Sequence, residues 1–226
     1  MTRLYHLVLT SIGSKVVVAM SGLTLAAFVL FHMLGNLQVF ESAAALNTYA
    51  AFLREMPILL WSARAVLLVL AGLHVGVAAQ MAVHNRRARP VGYAVRQYRR
   101  ASLASRTMAI TGSLLFVFIL FHLLHLSAGA VDPTYVERLD LRGQRDVFGK
   151  VVHAFQNMWF VVIYLGAQAV LALHLSHAVS SSLQTLGVEH PVLNPIFRRL
   201  GPALALVVAI GNCAIILAVA FGVVRQ

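Results

Sequence analysis

The sequence predicts an all-α membrane protein with five transmembrane helices in one integral membrane domain spanning residues 1–226. Three observations predict it. Of the 226 residues, 60% are hydrophobic and 11% charged, with a mean hydropathy of +0.81, too apolar a balance for an ordinary soluble domain. A spanning helix takes about 20 mostly apolar residues, and five such runs occur, at 16–40, 58–83, 107–130, 157–183 and 201–224. The basic residues gather at the edges of these runs rather than over a soluble face.

The first run follows Arg3 and Lys15 and precedes Ala43, Ala44 and Ala45, flanks that resemble those of a secretory signal. It is longer than the roughly 7 to 15 apolar residues of such a signal, so it is read as a retained helix. The connection between the second and third runs carries Arg86, Arg87, Arg89, Arg96, Arg99, Arg100 and Arg106, while Arg198 and Arg199 precede the fifth. Cytoplasmic loops are enriched in Lys and Arg, which puts these connections and the N-terminus on the cytoplasmic side and the C-terminus outside. Six of the seven acids, Glu41, Glu55, Asp132, Glu137, Asp140 and Asp146, then fall on the outer connections. A formal charge of +11 is accounted for by topology, lipid headgroups and docking to a cytoplasmic partner, not by nucleic acid. Asp132, Pro133 and Gly143 mark residues 131–150 as a loop with at most a short interfacial helix, and His190, Pro191 and Pro195 break the chain before the fifth helix.

The chain repeats itself. Ser21, Gly22, Leu25, Phe28, Leu30, Phe31, His32 and Leu34 align at an offset of 90 with Thr111, Gly112, Leu115, Phe118, Leu120, Phe121, His122 and Leu124. At an offset of 100, Gly72, Leu73, His74 and Gly76 align more weakly with Ala172, Leu173, His174 and Ser176. Helices one and two are thus related to three and four as parallel repeats about an axis along the membrane normal. Apolar composition alone produces chance matches, but it does not place histidines in register.

Ionisable residues inside spans are costly and mark function by default. A single intramembrane histidine is most simply a packed side chain bonded to a neighbouring helix; four in register are not. At about 1.5 Å rise per residue, His32, His74, His122 and His174 each lie roughly 20 to 25 Å from the start of their own run. Helix direction alternates, so His32 and His122 reach the outer half and His74 and His174 the cytoplasmic half. A haem iron takes two axial ligands from opposite sides, which facing helices at equal depth supply as imidazoles. The first four helices are therefore expected to form a bundle binding two b-type haems. No CxxCH segment is present for covalent attachment, and the only cysteine, Cys213, lies in the fifth run. No deeply placed cysteine or carboxylate joins the histidines, so the set suits haem better than zinc. Gly72 and Gly76 flank His74, and Ala172 and Ser176 flank His174, small enough for a flat macrocycle or for close helix packing. His125 and His177, three residues after His122 and His174, share their faces and are rival ligands or partners of haem propionates. His6, His84, His153 and His190 lie at ends or loops and read as solvated.

The segments SKVVVAMSGLTLAAFVLFHMLGN, NTYAAFLREMP, RPVGYAV, LASRTMAITG and HLSHAVSSSLQTLG closely resemble the cytochrome b558 type of succinate dehydrogenase or fumarate reductase membrane subunit, over nearly the whole chain. The resemblance implies the diheme membrane anchor of a bacterial succinate:quinone oxidoreductase in the cytoplasmic membrane. Its partners would be a flavoprotein subunit carrying FAD and an iron-sulfur subunit, and its substrate a quinone, menaquinone. It implies ligation of one haem by His32 with His122 and of the other by His74 with His174, the pairing that depth gives on its own. In the fumarate-reducing branch a glutamate stands two residues before the fourth-helix ligand; Ala172 stands here, which tells against that branch. A glycine common after HLSH is Ala178.

A quinone exchanging two electrons also exchanges two protons, so its site needs a polar group near a haem and within reach of water. Glu55, 23 residues after His32 on the outer connection and beside Arg54, is the leading candidate; a carboxylate near this spacing is associated with menaquinol oxidation in the family. Glu41 is the next. The competing readings are a fumarate reductase subunit, the haem b subunit of a hydrogenase or formate dehydrogenase, and a haem-free metal or proton transporter using the histidines transiently.

Overall fold

A computed structural model describes residues 10–88, 91, 101–188 and 190–225. Arg3 and His6, the arginines at 89, 96, 99 and 100, and most of the RPVGYAV segment lie outside the described residues, and with them most of the basic connection expected to meet a partner subunit.

Among the described residues all regular structure is helical, apart from an isolated bridge between Leu139 and Arg145. Helix α1, Ser11–Asn36, opens where the Thr10 hydroxyl accepts from Gly13 N–H at 3.0 Å and ends in a 3-10 turn, Leu37–Phe40. Helix α2, Ala43–Glu55, is capped by Ser42 on Ala45 N–H at 3.0 Å. Pro57 then starts α3, Pro57–Arg87, in a position where its missing N–H removes no helical bond. After a single turn at Leu103–Arg106 comes α4, Met108–His122, which passes without a break into a π-helical turn, Leu123–Ser127. Helix α5, Val147–Gln156, is capped by Asp146, and α6, Met158–Thr185, by Asn157. Helix α7 is Asn194–Ala220.

Five of these are long and apolar enough to cross a membrane: α1 with its 3-10 turn, α3, α4 with its π turn, α6 and α7. They coincide with the five sequence runs at their centres and part from them at the ends. Helix α7 begins at Asn194 rather than near 201, since Pro195 sits in its first turn, where no backbone N–H is needed. The third span closes at Ser127 rather than 130, because Gly129 at φ 67° turns the chain out of the helix. Helix α2 has no counterpart in the hydropathy pattern, being too short and too mixed to read as a span.

Packing places the spans. Helix α1 lies against α3 and α6, and α4 against α6 and, more lightly, α3. The four form a ring with α1 diagonally opposite α4 and α3 diagonally opposite α6. Helix α7 stands outside the ring, packed most extensively on α6 and also on α1. At Gly201 a Cβ would come 2.5 Å from the Ser176 carbonyl oxygen, so glycine sets how closely α7 approaches α6. Ala26, Leu175, Val179, Ala205 and Val208 fill that three-helix seam. A second core, at the end of the bundle bearing α2 and α5, includes Leu46, Phe148, Val152, Tyr164 and Ile216. Asn47, 1% exposed, locks this end. Its amide donates to Asp140 at 3.0 Å and Asp146 at 3.3 Å and accepts from Phe148 N–H at 2.9 Å, tying α2 to α5. Ile58, Leu59, Trp61, Leu68 and Val69 of α3 face outward, as a hydrocarbon solvent requires of a spanning helix whose backbone is satisfied internally.

Candidate histidine pairs in the bundle

The four in-register histidines meet in twos across the ring. His32 on α1 faces His122 on α4, ring centres 6.0 Å apart with planes at 86°. His74 on α3 faces His174 on α6 at 6.4 Å and 73°. Each pair thus joins diagonally opposite helices. His32 with His122, and His74 with His174, are the residues that would hold a metal-centred group between their rings. A direct N–H···N hydrogen bond would draw the centres in to about 5.2 Å, closer than either pair.

The pairs lie at two levels. His74 contacts Ser21 and the Val18 carbonyl on α1, and Ser21 precedes His32 by eleven residues. His174 contacts Thr111 on α4, and Thr111 precedes His122 by eleven residues as well. At about 1.5 Å per residue, both halves of the repeat set the levels about 16 Å apart. The His32 level lies toward the α2–α5 end, the His74 level toward the end bearing Lys15, Arg86 and Arg106.

The surroundings of each ring differ. His74 has Ser21 Oγ at 3.2 Å and Val18 O at 3.1 Å from Nδ1; His174 has Thr111 Oγ1 at 3.1 Å from Nδ1. A glycine follows each hydroxyl residue, and at Gly22 it makes room for the ring: a Cβ there would come 2.8 Å from His74 Cε1, whereas one at Gly112 would stand in ordinary contact, 3.5 Å from His174 Cε1. His122 Nδ1 lies 3.3 Å from the Tyr164 hydroxyl, and Asn36 Nδ2 lies 3.2 Å from His32 Nε2. A Cβ at Gly72 or Gly76 would meet nothing within 4 Å. Those two glycines are therefore not helix-packing positions within this chain; both are exposed and, two residues either side of His74, they lie toward the opposite face of α3, so they make no room for a group at the histidine. At the Ala172 and Ser176 positions opposite, Ala172 packs beside the three-helix seam and the Ser176 hydroxyl bonds its own helix at Leu173.

The rival histidine in the π turn after α4 is committed elsewhere. His125 is 1% exposed, its Nδ1 lies 3.0 Å from the Tyr164 hydroxyl, and its ring packs on Phe160 at 4.0 Å between centres. The π turn that begins at Leu123 brings His125 and His122 onto the same tyrosine; such turns recur at functional sites. His177 is half-buried near His174, with no histidine facing it across the ring among the described residues.

At the α2–α5 end, His153 Nε2 lies 3.0 Å from Asp132 Oδ2, and a small cavity of about 10 Å³ beside the two is lined by His125, Asp132, Tyr135 and Lys150. Thr134 hydrogen bonds hold the Asp132 carboxyl below its ordinary range, with His153 adding to them. Burial, and then the nearby Arg145 and Arg64, lower Arg54; burial, Arg145 and Arg54 lower Lys150. Glu55 is the exposed last residue of α2, at the corner before α3, and makes no ion pair with Arg54 among the described residues. Glu41 is exposed at the end of the 3-10 turn.

Reading the sequence alone assigned no role to Ser21, Gly22, Thr111, Gly112, Tyr164 or Asn47. The first four carried a signal, since they sit in the 90-residue repeat together with the histidines. Tyr164 and Asn47 carried none, because their partners lie 39 to 101 residues away. Compared with protein-family models, curated proteins and solved structures, the chain matches none of them.

Proposed function

We propose that this chain is the diheme cytochrome b membrane anchor of a succinate:quinone oxidoreductase. The observation that carries the haem reading is the two diagonal histidine pairs, with ring centres 6.0 and 6.4 Å apart at two levels of one four-helix ring. Two b-type haems bound there would relay single electrons along the membrane normal. His32 and His122 would hold the iron nearer the α2–α5 end, His74 and His174 the other. Oxygen atoms within hydrogen-bond reach of Nδ1 of His74 and His174 fit the same group.

The succinate dehydrogenase assignment rests on the resemblance of the five quoted segments, with Ala172 favouring succinate oxidation over fumarate reduction. The partners are then a flavoprotein carrying FAD and an iron-sulfur subunit, docked at the basic, cytoplasmic end in a bacterial inner membrane. Electrons from the iron-sulfur subunit pass to menaquinone through this chain. The C-terminus and the α2–α5 cap face outward, and Glu55 serves the quinone as a proton-exchanging group.

The deciding measurement is a reduced-minus-oxidised visible spectrum of the purified membrane protein, with haem counted per chain. A b-type α band and two haems per chain are expected. A chain without an α band overturns the reading and favours a transporter that uses the histidines transiently. Co-purification of succinate-oxidising activity with the chain separates this anchor from the haem subunits of hydrogenase or formate dehydrogenase.

A further inference from the structure

We propose that Ser21 and Thr111 are positioning residues that fix His74 and His174 in the Nδ1–H tautomer, leaving the lone pair of each ring on Nε2. The inference rests on the reading of these histidines as haem ligands.

A hydroxyl has one proton to give. Ser21 Oγ lies 2.6 Å from the Val17 carbonyl and Thr111 Oγ1 3.0 Å from the Thr107 carbonyl, four residues back on the same helix. Such back-bonding commits the hydroxyl proton to the helix. What each oxygen offers to the imidazole is then a lone pair, so the Nδ1 at 3.2 Å in His74 and 3.1 Å in His174 is the donor. The Val18 carbonyl, 3.1 Å from His74 Nδ1, can only accept and reaches the same tautomer independently. A neutral imidazole protonated at Nδ1 keeps its lone pair on Nε2.

The arrangement occurs twice, the hydroxyl residues 90 residues apart and the histidines 100, with a glycine after the hydroxyl residue in both copies. Each hydroxyl acts on the histidine of the next span in its own half: Ser21 on α1 reaches His74 on α3, and Thr111 on α4 reaches His174 on α6. A Ser or Thr that merely satisfies its own helix explains the bonds to Val17 and Thr107. It does not explain why both oxygens also meet the same atom of two registered histidines. Acceptors of this kind orient a ligating ring and raise its basicity.

A more basic imidazole favours the ferric state, so removing the acceptor raises the midpoint potential. The test is a redox titration of the α band in the purified complex, with haem counted per chain. Thr111→Val removes the hydroxyl that His174 uses. The expected result is an upward shift in one haem, the other unmoved, with two haems retained; Thr111→Ser restores the original value. Ser21→Ala is expected to move the same haem by less, because the Val18 carbonyl still accepts from His74. Unchanged potentials in Thr111→Val with both haems in place overturn the inference, as does an equal shift of both haems. Loss of one haem in Thr111→Val supports it if Thr111→Ser recovers that haem and overturns it otherwise. Absence of haem from the unsubstituted protein is a different failure, that of the haem reading itself, and this inference falls with it.

Discussion

His125 Nδ1 lies 3.0 Å from the hydroxyl of Tyr164, inside a sleeve formed with Phe121 and Phe160. His122, three residues earlier, shares that hydroxyl at 3.3 Å while its ring faces His32 across the bundle. The repeat favours His122, with His125 as its rival one turn on, and their surroundings separate them further. His122→Ala should therefore remove one haem of two, whereas His125→Ala should retain both and lose thermal stability through the emptied aromatic sleeve. Haem stoichiometry in the two purified variants decides it; the reverse pattern would make His125 the ligand.

Glu55 ends α2 at the corner that leads into α3, exposed and without an ion-pair partner among the described residues. A carboxylate so placed can exchange protons with water while standing at the His32 end of the bundle. Glu55→Gln keeps the shape and removes the ionisable group. It should leave both haem spectra intact, lower quinone-linked turnover about a hundredfold or more, in the range that one proton-transfer group contributes, and spare succinate oxidation by a soluble acceptor. Unchanged quinone turnover would sink the assignment.

The spans and the histidine pairing were legible in the sequence because each rests on a local regularity. About 20 apolar residues can do little but span, and alternating helix direction converts position along a run into depth. The ring order was not legible: nothing local says that α1 stands opposite α4 rather than beside it. The α2–α5 cap escaped for another reason. Asn47 reaches Phe148 across 101 residues, and an amide in a mixed helix looks like any surface asparagine until its partners are in place. The seat of His174 lay half in view, since Thr111 and Gly112 stood in the repeat, yet their relation to a histidine 63 residues away needed the helix packing.

Asn47 is the tie between α2 and α5. Burying an amide is tolerable when its donors and acceptor are paired, and here it bonds Asp140, Asp146 and Phe148. Asn47→Ala leaves the Phe148 N–H unpaired in a buried setting, at a cost of about 1–3 kcal/mol. Faster hydrogen exchange through residues 43–55 and 147–156 is the expected outcome, with α6 and α7 unchanged. Equal protection in variant and parent would show that the apolar contacts alone hold the cap.

The Asp132 carboxyl is held below its ordinary value, chiefly by Thr134 and with help from His153. A depressed carboxylate stabilises the folded form at pH values above its unfolded value of about 3.9, and that contribution is lost as pH falls through the lower folded value. Protection of residues 131–153, corrected for the intrinsic pH dependence of exchange, should therefore fall as pH drops below about 3.9. In Asp132→Asn this acid-dependent step should shrink. An identical acid profile in the two proteins would assign the step to other carboxylates.

Gly22 and Gly112 occupy equivalent places in the repeat but leave different margins. A Cβ at Gly22 would stand 2.8 Å from His74 Cε1, closer than carbon atoms tolerate, while one at Gly112 would stand 3.5 Å from His174 Cε1, in ordinary contact. The His74 ring has little freedom to retreat, because its Nδ1 is bonded to both Ser21 and the Val18 carbonyl. Moving it would break those bonds and change how the ring faces His174. Gly22→Ala should therefore lower occupancy of one haem or broaden its α band, with the His32–His122 haem intact. Gly112→Ala should be nearly silent, apart from a gain of up to about 1 kcal/mol in helix propensity. Comparing haem content and spectra in the two variants tests the local geometry directly. Equal loss in both would mean that any side chain beside the histidine is excluded, whatever the clearance.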